Sequence, residues 1–240
     1  MTGPAPVHNQ SGLKLWFCTG LALGILVSSL FAWQWIEAGT GTTISVLGSG
    51  KYVSVLITHE QRRVLIVSGN NGPAFSNAIG KALPSIADSI DVMIFDPRTS
   101  ADVTERALAL SAKRTMQLPD QDNTNEVGTI QRSFVIDLGD DASVSFLLTP
   151  ERLWTATVDT QAGRVLIAPD AEGPISAAIG IVLDGSVLDP ADGRTAILIG
   201  PPASGTATSV PHATVSTGAV LSISVDDARF RLPRGSATNR

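Results

Sequence analysis

Metal binding and nucleophilic catalysis at neutral pH draw on few side-chain types, and this sequence is short of them. Its three histidines are His8, His59 and His212, spread along the whole chain. A binuclear metal centre needs several imidazole nitrogens beside its carboxylates, so His59, between two extended runs, and His212 both read as surface residues. The single cysteine, Cys18, lies in an apolar run, which leaves neither a disulfide framework nor a thiolate metal site. Ser49 stands between two glycines and Ser68 precedes Gly69, but no histidine or lysine nearby offers a base, and G-x-S-x-G is absent. Asp120, Asp122 and Thr124 are spaced like a calcium loop without its turn glycine or its closing glutamate, so a polar connector is the better reading. Gly69-Asn70-Asn71-Gly72 lacks the Lys-Ser/Thr of a phosphate-binding loop and reads as a turn before a helix.

The frame that must position these residues is written twice. Residues 63–80 read RVLIVSGNNGPAFSNAIG, and about 100 residues later 164–180 read RVLIAPDAEGPISAAIG, with one residue dropped. Upstream, 52–57 answers to 153–158; downstream, 92–95 answers to 196–199, each ending in a proline turn. Short Val- and Ile-rich runs at 43–47, 52–57 and 63–67 predict adjacent antiparallel strands. Pro73 opens a helix, 90–95 is a buried strand, and Thr99 with Asp102 has the spacing of a capping box before a second helix. Residues 114–118 return as a strand, and 119–128 connect the halves. The second half predicts strands at 133–138, 144–148, 153–158 and 164–168, a helix from Pro174, a turn at 187–194, and strands at 195–200, 220–225 and 229–232.

Residues 15–36 (LWFCTGLALGILVSSLFAWQWI) carry no charge and as a helix span about 33 Å, the thickness of a bilayer core. Trp16 at one end, with Trp33 and Trp35 at the other, suits the two headgroup interfaces. The residues before Ala32 and Ala38 include Leu30 and Ile36 where a cleaved signal needs small side chains, so an uncleaved anchor is favoured over a signal peptide. Lys14 before the span and Glu37 after it put residues 1–14 in the cytoplasm and the folded part, 43–233, outside, with a tail at 234–240. A chain 43% hydrophobic and 16% charged folds, and a net charge of −5 gives no field to draw in nucleic acid. Arg229, Arg231, Arg234 and Arg240 alternate with apolar or small residues and read as a solvated face.

The segments SVLGSGKYVSVLI (45–57), RRVLIVSGNNG (62–72) and SIDVMIFDPRTSAD (89–102) together resemble the opening of the metallo-β-lactamase fold. The likeness is to the domain attached to ComEC-type competence DNA-uptake proteins, which open with a pattern like LDVGQGDSVLI and ILIDGG and then present THxHxDH. It covers 43–118 and, more faintly, 144–225, and it implies an α/β (α+β) fold: an αββα sandwich of two related halves preceded by one transmembrane helix.

The resemblance also says where metal ligands should stand. In the loop of THxHxDH this chain has Asp96, Pro97, Arg98, Thr99, Ser100, Ala101 and Asp102, without a histidine and with a fixed positive charge at Arg98. Asp170, in LIAPDAE, matches the family's LLTGDAE aspartate; the later HHGS becomes Pro201, Pro202, Ala203 and Ser204. The resemblance therefore implies a vestigial pocket of Asp96, Arg98, Asp102, Asp170, Pro201 and Pro202 that calls for no cofactor. The expected function is a membrane-anchored pseudoenzyme, a binding or assembly module with a membrane-protein partner and a tie to DNA uptake. The rival is a hydrolase of phosphodiester or lactone bonds, using Asp96, Asp102 and Asp170 as a non-zinc acidic site.

Overall fold

Two hydrophobic patterns divide the strands, and each dictates how many faces of its sheet are covered. Runs such as VSVLI (53–57) and VLIV (64–67) are apolar with little or no interruption, so both faces of that sheet must be hidden from water. By contrast WTATVDT (154–160) alternates apolar with polar residues, so one face suffices. A computed structural model describes residues 41–83, 89–119, 132–139, 141–148, 154–169, 177, 179–184, 197–201, 212–226 and 229–231. In chain order its elements are β1 (Thr42–Gly48), β2 (Val53–His59), β3 (Arg62–Val67), α1 (Gly72–Ala82), β4 (Ile90–Phe95), α2 (Ala101–Leu108) and β5 (Ala112–Gln117). Next come β6 (Phe134–Gly139), β7 (Ala142–Leu148), β8 (Trp154–Thr160), β9 (Gly163–Ala168), β10 (Ile179–Val182), β11 (Ile197–Gly200), β12 (His212–Thr214), β13 (Val220–Asp226) and β14 (Arg229–Arg231).

These described elements form a mixed α/β structure, mostly strand, with two sheets and two helices. The first sheet runs β14-β13-β1-β2-β3-β4-β5 and the second β12-β11-β10-β9-β8-β7-β6. Alternate residues of the first sheet face opposite cores. Val55, Ile57, Val64, Ile66 and Ile94 meet Val144, Phe146, Trp154, Val158 and Ile167 of the second sheet, while Leu56, Leu65, Val67 and Met93 meet Phe75, Ala78, Ile79, Val103 and Ala107 of the helices. On β8, Trp154, Ala156 and Val158 are buried and the intervening Thr155, Thr157 and Asp159 are not. The cross-strand pair Phe134 and Phe146 stacks with ring centroids 4.7 Å apart.

Three findings differ from the sequence expectations. Ile179–Val182 is a strand, β10, parallel to β9 on one side and β11 on the other, where the repeat predicts the end of a helix. The two copies diverge immediately after the shared Ala-Ile-Gly. The first continues into Lys81, whereas the second continues into Ile181, Val182 and Leu183, all buried, an unbroken apolar run suited to an interior parallel strand. As a result β3 pairs directly with β4, but β10 intervenes between β9 and β11. Second, β13 joins the first sheet beside β1, with Thr42 opposite Val225, so sheet membership does not follow the halves 43–118 and 144–225. Third, the cap of α2 is Ser100, whose Oγ accepts from the Val103 amide, rather than Thr99. The Thr99 hydroxyl instead donates to carbonyls of Val67 and Asp96.

The other strands expected in the first half stand within two residues of their predicted bounds, and α1 carries Pro73 in its first turn behind the cap Asn71. No helix among the described residues is long and apolar enough to cross a membrane. The run 15–36, the connector carrying Asp120, Asp122 and Thr124, Pro174 and the turn at 187–194 lie outside the described residues.

Candidate functional site

The loops that leave the parallel strands β3 and β4 lie side by side, because the strands pair in register from Val64 opposite Val92 to Val67 opposite Phe95. Backbone bonds fasten one loop to the other: the Asp96 amide donates to Val67 O (2.9 Å) and the Ser100 amide to Gly69 O (2.9 Å). This fixes Asp96 at the end of β4, 1% exposed. A carboxylate so buried requires a counter-charge or a full set of donors. Arg98 supplies both. Its amide donates to Asp96 Oδ1 (2.9 Å), Nε to the same oxygen (3.2 Å) and Nη2 to Oδ2 (3.0 Å), so both carboxylate oxygens are held.

The guanidinium reaches further. Its Nη1 approaches Asp184 Oδ2 at 3.4 Å, and its carbon stands 5.5 Å from the centroid of the Tyr52 ring. Asp184 follows β10 in the second sheet, and Tyr52 precedes β2 in the first, so one side chain links three loops. The backbone joins the sheets at the same end, where the Val53 amide donates to Leu183 O (2.9 Å). Sequence reasoning found Asp96 and Arg98 but missed Asp184. The partners are separated by 86 positions, and the available signal was an aspartate directly after an apolar run.

Asp102 has another task. It stands in the first turn of α2, where Oδ2 accepts from the Gly72 amide at the start of α1 (2.9 Å) and Oδ1 from Arg106 Nε (3.0 Å). A helix N-terminus leaves amides unsatisfied and a partial positive charge, and this carboxylate answers both. Asp102 therefore ties α2 to α1, with each oxygen engaged once although the side chain is half exposed. Pro201 is buried at the end of β11; Asp170 and Pro202 lie outside the described residues.

Neither candidate serine is placed to attack a substrate. Ser49 is fully buried with its hydroxyl directed at the Ser68 carbonyl, and Ser54, also buried, bonds both backbone groups of Ser68. Ser68 Oγ is buried without a hydrogen-bond partner among the described residues. Gly69 makes this junction feasible. Its φ is +154°, and a Cβ there would lie 2.5 Å from Ser49 Oγ.

His59, expected at the surface, is 8% exposed at the end of β2, with Nδ1 2.8 Å from Thr42 Oγ1 on the neighbouring strand. Strand pairing accounts for the change: Thr42 and His59 are direct partners in the β1–β2 ladder, so the ring lies along the sheet instead of in a free turn. His212 begins β12, at the far edge of the second sheet. Among the described residues no group of three or more His, Cys, Asp or Glu is arranged to hold a metal ion. At Asp96 the donor set is also of the wrong sign for one, because a guanidinium already engages both oxygens. No protein-family model matches the chain, and no curated protein matches it.

Proposed function

We propose that this chain is a membrane-anchored, non-catalytic domain on the metallo-β-lactamase plan, acting outside the cytoplasm as a binding or assembly module. The observation that carries the reading is Arg98 clamped on buried Asp96 and reaching Asp184. A fixed cation of the chain itself stands where the resemblance puts metal ligands, and it links the two sheets. The reading of an αββα sandwich built by duplication is supported by strand directions. β1, β2 and β3 pair antiparallel in succession, as do β7, β8 and β9, and the strands that follow run parallel in both sheets, β4 and β5 in the first and β11 in the second, with β10 inserted ahead of β11. Anchoring rests on the uncharged run 15–36, and the tie to DNA uptake rests on the resemblance alone.

The rival hydrolase would need Asp96, Asp102 and Asp170 free to share a cation. Asp96 is engaged by Arg98 and Asp102 by Gly72 and Arg106, which favours the non-catalytic reading. The test is metal content and phosphodiesterase activity of the full-length chain purified in detergent. The expected result is substoichiometric metal, no melting shift with a chelator, and no hydrolysis with added zinc, manganese or magnesium. Metal-dependent hydrolysis abolished by Asp170→Ala overturns the reading.

A further inference from the structure

We propose that the open mouth between the two sheets, bounded by β5 and β6, is a docking groove for an extended acidic segment of a partner protein. It differs in place and chemistry from the Asp96 loops. The groove is flanked by Arg62, Asp91 and Lys113 near the starts of β3, β4 and β5, whereas Asp96 follows the other end of β4.

Three observations point to that occupant. First, among the described strands β5 is hydrogen-bonded only to β4 and β6 only to β7, so residues 112–116 of β5 and the whole of β6 each present a row of backbone donors and acceptors that no described strand pairs. Second, the mouth encloses about 980 Å³ and has an apolar floor. Val92, Met116, Phe134 and Ile136 are only partly buried there, against the shared core. Val135, on the same strand, is 65% exposed. Third, the rim is cationic on a chain whose net charge is −5. It carries Arg62, Lys113, Arg114 and Arg132 against Asp91 and Asp137. Lys113 is paired with Asp91 (2.7 Å) and Arg62 donates to the Asp137 carbonyl (2.8 Å). Arg114 and Arg132 are exposed and have no hydrogen bond or ion pair with a described residue.

A polypeptide strand answers all three features at once. Its backbone pairs with an open edge, alternate apolar side chains cover the floor, and the carboxylates between them reach Arg114 and Arg132. A nucleic-acid strand fits less well. One face of Phe134 is already taken by Phe146, it is the single aromatic side chain lining the groove among the described residues, and two carboxylates sit on the rim.

The experiment uses the full-length chain and a fluorescein-labelled peptide of alternating glutamate and valine, read by anisotropy. Saturable binding is expected, weakened about tenfold or more by Arg114→Glu with Arg132→Glu. A lysine–valine peptide should not bind. The double variant should keep the wild-type circular dichroism melt, since both side chains are exposed. The proposal is overturned by absence of binding, by equal affinity in the double variant, or by equal affinity for polyglutamate or oligothymidylate, which carry charge without strand alternation. Self-association through the same arginines would also overturn it. So would binding that appears only after Asp120, Asp122 and Glu126 are neutralised, which would give the groove to the chain's own connector.

Discussion

Replacing Arg98 by Met keeps most of the stem and removes the charge, leaving the Asp96 carboxylate with the Arg98 amide but without its two guanidinium bonds. Removing one partner of a fully buried ion pair costs about 3–5 kcal/mol. The Asp96 side chain is 0% exposed, but Arg98 is 29% exposed, so water can approach from the guanidinium side. That places the expected loss at about 2–3 kcal/mol, the cation–π contact with Tyr52 included. In a fold of this size such a loss lowers the melting temperature by about 5–10 °C. Asp96→Asn removes the need for a counter-charge, so Asp96→Asn with Arg98→Met should recover about 1–2 kcal/mol relative to the sum of the single variants. Urea unfolding followed by far-ultraviolet circular dichroism measures all four proteins. A loss below about 0.5 kcal/mol for Arg98→Met, or strict additivity in the cycle, refutes the view that the guanidinium is the counter-charge buried Asp96 requires.

Two further perturbations probe the frame around the site. At Gly48 a Cβ would lie 2.0 Å from the Ser216 carbonyl oxygen, and that backbone is itself bonded through the Gly48 and Gly218 amides. Gly48→Ala should therefore destabilise the fold by about 1–3 kcal/mol, by parting β1 from the turn before β13, and a shift in urea midpoint measures it. Burial would raise the Asp91 carboxyl, but the bond from Lys113, the Arg63 amide and both positive charges outweigh it and hold the carboxyl below its ordinary value. A depressed folded-state value contributes stability at neutral pH that disappears as the pH falls through it. Asp91→Asn should therefore lower stability by less than about 1 kcal/mol at pH 7, Lys113 being largely exposed, and by progressively less in acid as the pH falls through the lowered folded-state value. Equal losses at neutral and acid pH would assign the effect to packing instead of charge.

Much of the fold was legible because local chemistry and tertiary demand agree there. Pro73 preceded by Asn71, the unbroken VLIV of β3 and the alternation in β8 each have one good use, and the chain uses them so. Prediction failed where identical residues met different surroundings. Ala78-Ile79-Gly80 lies inside α1, which runs on to Ala82 against the first sheet, whereas Ile179-Gly180 enters a strand paired with β9 and β11. Periodicity over so few residues does not distinguish the two. At the site, the absence of histidine and the presence of Arg98 could be read directly, but the use of each carboxylate could not. Asp96 and Asp102 are equally acidic in sequence, yet one meets Arg98 and the other the amide of Gly72.

By itself the sequence determined which strands are covered on both faces and which on one, where α1 starts, and that the loop after β4 carries an arginine and no histidine. Those properties reside in single residues and their nearest neighbours. Only the tertiary structure decided that Arg98 bridges Asp96 to Asp184, that His59 is buried against Thr42, and that β5 and β6 leave a cationic mouth between the sheets. Each of those depends on the register and proximity of segments far apart along the chain. That proximity is set by the common core they bury together, because no local preference encodes which distant surface a side chain will meet.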